Sequence, residues 1–90
     1  MAFESVQNHY ENLVINEIRA VVKKRKLKVD QDYLEDVACV ALNRLPARYV
    51  RHHVDLAFYL TAEEHQLIDN SVKTAVTDAF TFVDKHSRDN

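Results

Sequence analysis

The sequence predicts an all-α fold, a compact single domain of three main helices with a proline corner and a short connector. Two observations predict it. Apolar residues recur at three- and four-residue spacing through three long segments, and the only proline, Pro46, stands directly after the second of them. In the first segment Phe3, Val6, Tyr10, Leu13, Val14, Ile18 and Val21 fall on one helical face, predicting a helix over residues 5–24. Lys23, Lys24, Arg25, Lys26 and Lys28 follow as a solvated basic end, placed favourably for the helix dipole.

The second helix is expected over 31–44, beginning near Asp30 or Asp32. Asp32 followed by Glu35 resembles a capping box. Leu34, Val37, Ala38, Ala41, Leu42 and Leu45 form its apolar face. Pro46 then closes it, because proline lacks the backbone donor and pushes Leu45 out of helical angles. Val54, Leu56, Phe58 and Leu60 alternate as a strand would, although a short helical or irregular connector is favoured there. Thr61-Ala62-Glu63-Glu64 is a capping box that opens the last helix, expected over 62–85. Leu67, Ile68, Val72, Ala75, Val76, Ala79, Phe80 and Val83 give it an apolar stripe. Packing is expected through Leu13, Ile18, Val37, Leu42, Val72, Val76 and Phe80. Residues 1–4 and 85–90 are expected to fray. The 90 residues then make one domain, small enough that a homodimer is a natural supplement to its core.

Composition narrows the function classes. Apolar residues at 47% and charged residues at 29% describe a globular chain, and a net charge of −2 gives no global field for indiscriminate DNA binding. Cys39 is the single cysteine, which excludes an intrachain disulfide and a thiolate zinc site within one chain. The absence of glycine excludes the P-loop and the dinucleotide fingerprint, so phosphate contacts must come from side chains or a helix N-terminus. Without a membrane-spanning apolar run or a leader pattern, the cytoplasm is the expected location.

No catalytic constellation emerges. His52 and His53 are adjacent and so point apart, and no ligand set at metal spacing accompanies them. Cys39, between Ala38 and Val40, reads as a small buried hydrophobe. Ser5, Ser71 and Ser87 lack a motif-placed histidine and carboxylate, and Glu35-Asp36 and Glu63-Glu64 sit where helix starts favour negative charge. The expectation is a non-enzymatic protein with neither cofactor nor metal. Acidic residues at the start of the second helix disfavour nucleic acid. The proline corner differs. Arg44, Arg48 and Arg51 stand four and three apart, with Tyr49 among them and Asn43 directly before the first. Arginine grips phosphate with two parallel bonds, reads guanine's O6 and N7, and stacks on bases, while tyrosine adds a stacking face. The same arginines would equally serve as surface residues covering the corner.

At these residues the chain resembles the late competence development protein ComFB family. Asp36-Val37, then Ala41-Leu42-Asn43-Arg44-Leu45-Pro46 and Arg48-Tyr49-Val50, carry the resemblance, together with Asn8-His9-Tyr10-Glu11-Asn12-Leu13-Val14 and Glu17-Ile18. It spans roughly residues 6 to 83, with Ala47 where a second proline is common. Relatives from Gram-positive bacteria tend to carry a cysteine cluster before the aspartate, resembling a zinc site. None stands in Lys28 to Tyr33, so packing of Val29 and Tyr33 is expected to hold that loop. The resemblance implies a small dimeric domain that binds a cyclic dinucleotide, cyclic di-GMP above all; the expectation favoured on that basis is that ligand binding is relayed to a protein partner. The ligand set is inferred from the residues themselves and not carried over from the family: Asp36 would accept from guanine N1 and N2, with Asn43, Arg44, Arg48, Tyr49 and Arg51 completing it. A ligand-free protein adaptor and a weak nucleic-acid-binding regulator through Lys23 to Lys28 remain the alternatives.

Overall fold

The helical periodicity becomes three helices in the computed structural model, which describes residues 6–47, 49–50 and 60–87. In chain order the elements are strand β1 (Gln7–Asn8), helix α1 (Tyr10–Arg25), helix α2 (Gln31–Arg44), strand β2 (Tyr49–Val50) and helix α3 (Ala62–Ser87). The fold class is all-α, as the sequence predicts.

α1 starts later than periodicity alone implies. Asn8 Oδ1 accepts from the Tyr10 amide at 3.2 Å, a local bond that competes with helix, and Gln7 and Asn8 pair antiparallel with Val50 and Tyr49. Val6 is accordingly exposed, and Phe3 lies outside the described residues. Tyr10, Val14 and Ile18 form the buried face of α1. Its end needs a left-handed residue, and in a chain without glycine Lys26 takes that conformation at φ 53°. The Leu27 amide then donates to Val22 O at 3.1 Å, and the Leu27 side chain folds back onto the core.

Asp30, rather than Asp32, caps α2. It sits in extended conformation and accepts the Tyr33 amide at 2.8 Å. At the other end Leu45 is extended, at φ −102° and ψ 144°, as a residue before proline should be. The α3 capping box forms in both directions: the Glu64 amide donates to Thr61 Oγ1 at 3.0 Å and the Thr61 amide to Glu64 Oε1 at 3.2 Å. α3 stays helical through Ser87, past the residue where fraying is expected. Of the ambiguous connector only Leu60 is described, and it is buried; Val54 through Tyr59 lie outside the described residues.

The core is where the three helices meet. Val14, Val37 and Val76 have no exposed surface, and Ile18, Ala41, Val72, Ala75, Ala79, Phe80 and Val83 surround them. Leu13 and Leu42 pack at its half-buried rim. Three sequence expectations are corrected here. Leu67 is 60% exposed, because α3 at about 39 Å far outruns α2 at about 21 Å. Cys39 is exposed rather than buried, since it lies two residues from Val37 and so on the opposite side of α2. Val29 is also exposed, so of the expected loop anchors only Tyr33 holds: its ring tilts against Phe80 at 6.1 Å and its hydroxyl donates to Asp84 Oδ1.

Burial first, and then the hydrogen bond to the Asp84 carboxylate and its charge, push the Tyr33 hydroxyl up from 10.0 to about 12, with Arg25 opposing. A pKa raised on folding gives stabilisation that is whole below the unfolded value and lost as pH rises through the folded one. Denaturant melts should therefore show stability falling between pH 10 and 12 by more than in Tyr33→Phe. Parallel pH profiles would sink this assignment. A second expectation concerns Lys26. Left-handed geometry costs a non-glycine residue about 1–2 kcal/mol, so Lys26→Gly should stabilise by roughly 0.5–1 kcal/mol after the added unfolded-state entropy. A thermal melt should shift upward by about 3–6 °C, and an unchanged midpoint would contradict the strain.

Candidate functional site

Because Pro46 stops α2 after Arg44, the helix ends against the middle of α3 and leaves an open groove there. Arg44, Leu45 and Pro46 form one wall, and Leu67, Asn70, Ser71, Thr74, Ala75 and Asp78 of α3 form the other, enclosing about 430 Å³. That volume is in the range of small-molecule sites. The α3 wall is a single stripe at three- and four-residue spacing, and Phe82 and His86 continue it.

Arg44 dominates the groove. Its Nη1 stands 3.9 Å from Asp78 Oδ2, with the two side chains 43% and 55% exposed. Its guanidinium carbon lies 5.4 Å from the centre of the Phe82 ring, within cation–π range. Phe82 in turn stacks with His86 at 4.0 Å and 19°, and His86 Nδ1 is 3.0 Å from the Phe82 carbonyl oxygen. The guanidinium is thus steered from two sides by α3 while keeping access to solvent. Asn70 Oδ1 accepts from Gln66 Nε2 at 3.1 Å, which orients the amide at the groove's far end.

The sequence-derived set is only partly gathered. Arg44 is in the groove. Asn43 is exposed on the next face of α2 and does not line it. Asp36 shares that outer face with Asn43; helical geometry puts it about 80° around α2 and about 12 Å along its axis from Arg44. Tyr49 is 67% exposed and its backbone pairs with Asn8. Arg48 and Arg51 lie outside the described residues, as do His52 and His53. Asn70, Ser71, Thr74, Asp78 and Phe82 were not legible as site residues. The available signal was the polar stripe on α3, broken by a phenylalanine off the apolar face.

Two smaller clefts lie among the described residues. One, of about 250 Å³, lies between α1 and α2 and is walled by Ile15, Ile18, Leu34 and Ala38 together with the polar Arg19, Gln31 and Glu35. The other, of about 200 Å³, lies between α1 and α3 around Leu13, Asn16, Glu17, Asp69, Val72 and Lys73. The first carries Arg19 and Glu35 but no aromatic residue, and the second has neither an arginine nor an aromatic residue; in the α2–α3 groove Arg44 meets Asp78 and also reaches the Phe82 ring just beyond the groove wall, which makes it the stronger site. Lys23, Lys24, Arg25, Lys26 and Lys28 are all exposed around the end of α1. Among the described residues no group of three or more His, Cys, Asp and Glu converges as a metal site would require. Nor is any described helix long and apolar enough to cross a membrane.

No curated protein sequence matches the chain. A family model does: the one described as late competence development protein ComFB aligns with residues 7–87, from β1 to the last turn of α3. The match takes in the Asn43-Arg44-Leu45-Pro46 corner and the α3 stripe facing it, and the chain belongs to the ComFB family.

Proposed function

We propose that this chain is a non-enzymatic signalling domain that binds a cyclic dinucleotide, cyclic di-GMP foremost, and passes the bound state to a protein partner. The observation that carries the reading is the accessible Arg44 guanidinium, poised over Phe82 in a groove of about 430 Å³. A delocalised, always-charged fork beside an aromatic ring suits a ligand that is both planar and phosphorylated. Family membership supports the same ligand class through the resemblance described above. Arg48, Tyr49 and Arg51 follow Arg44 closely in sequence and belong to the proposed ligand set, whereas Asn43 and Asp36, expected in that set from the sequence, do not line the groove. A homodimer in the cytoplasm, with ligand changing how the domain meets its partner, completes the proposal.

The rival reading is an adaptor that uses the same arginine to meet an acidic protein surface. Isothermal titration with cyclic di-GMP, cyclic di-AMP and GTP separates them, since the adaptor gives no saturable heat. Arg44→Ala should weaken cyclic di-GMP by about ten- to more than a hundredfold, the usual 1.5–3 kcal/mol of a truncated charge-assisted contact, with the helical spectrum unchanged. Full affinity in that variant would move the site away from the groove.

A further inference from the structure

The groove holds an anion as well as a cation. Asp78 Oδ2 faces Arg44 Nη1 at 3.9 Å, beyond hydrogen-bonding distance, so neither group satisfies the other. Both side chains are about half exposed, and an ion pair of that kind adds little to stability. A carboxylate in a groove serving phosphate alone would only repel its ligand. It becomes useful where the ligand also presents hydrogen-bond donors.

We propose that Arg44 and Asp78 together read the Watson–Crick edge of a guanine base, an assignment that rests on the cyclic-dinucleotide reading above. Side by side, the pair offers a donor and then a two-oxygen acceptor. Guanine's edge offers O6, which accepts, followed by N1–H and the N2 amine, which donate. The guanidinium donates to O6 and the carboxylate accepts from N1–H and N2–H, the pattern with which cytosine pairs guanine. Adenine presents a donor at N6 and an acceptor at N1, and so opposes both groups. Phe82 beneath the guanidinium holds it over the groove, 5.4 Å from the ring centre. Ser71 and Thr74 on the same α3 stripe leave neutral hydroxyls for the sugar and phosphate. Asp78 is then the specificity-determining carboxylate, because it shares the groove with Arg44 while Asp36 does not.

The test is a calorimetric titration of the full chain with cyclic di-GMP, cyclic di-AMP and cyclic di-IMP, the last lacking the N2 amine. The unaltered protein should bind the guanine ligand about ten- to a hundredfold more tightly than the adenine ligand, with the inosine ligand between them. Asp78→Ala, at an exposed helical position, should lose a similar factor for cyclic di-GMP and no longer distinguish it from cyclic di-IMP. That non-additivity between protein and ligand is a readout that a structural role would not produce. If Asp78→Ala binds cyclic di-GMP as well or better, Asp78 is a counter-ion that the ligand displaces, and the proposal fails. A retained preference for guanine over inosine overturns it too. Equal binding of all three ligands by the unaltered protein removes this inference alone; no binding of any of them removes the proposed function with it.

Discussion

Val14, Val37 and Val76 come from three different helices, and none has any surface left for solvent. Everything else in the fold is arranged around their meeting. A chain this short buries one core, and a side chain completely enclosed there loses both its transfer energy and its packing contacts if it is cut back. Ala41, Ala75 and Ala79 on the facing sides of α2 and α3 let those two helices approach closely, since interaxial distance follows the size of the side chains between them. α1 then closes the third side with Tyr10, Val14 and Ile18.

The groove follows from that packing and from one covalent constraint. α2 is held against α3 along Val37 and Ala41, so its last residue, Arg44, must emerge beside the middle of α3. Pro46 prevents another turn, which would otherwise fill the space above Leu67 and Asn70. Site and core are thereby coupled. The same helix pairing that buries Ala75 at the floor of the groove sets its neighbours Thr74 and Asp78 along the α3 wall.

Among the described residues, the Tyr33–Asp84 and Arg44–Asp78 links between α2 and α3 differ in kind. Tyr33 and Asp84 are hydrogen bonded, and the bond ties the start of α2 to the end of α3, so it acts on the geometry of the bundle. Arg44 and Asp78 are only ion-paired at 3.9 Å, with much of each side chain in water. Screening and side-chain entropy leave such a pair little stabilising value. One end of the α2–α3 contact is fastened, and the other keeps its charged groups accessible.

What the sequence determined by itself was local. Helix extents near 31–44 and 62–85, the Thr61–Glu64 cap and the stop before Pro46 are written in neighbours at most four residues apart, where caps, periodicity and proline sterics operate. Misreadings were local as well: at Asn8 a side-chain bond defeated helical periodicity, and at Asp30 the cap fell two residues before the capping-box pattern. Arg44 was legible because arginine beside the only proline already signals a charged corner. Its partners were not. Asp78 and Phe82 stand more than thirty residues away in the chain, on a helix whose apolar stripe drew attention to its other face. Tyr33 and Asp84 are separated by 51 positions. Which face of α3 meets which end of α2 depends on the packing of all three helices at once, and no spacing within one helix encodes it. The tertiary structure alone therefore placed a carboxylate and an aromatic ring beside Arg44, and Asp36 outside the groove.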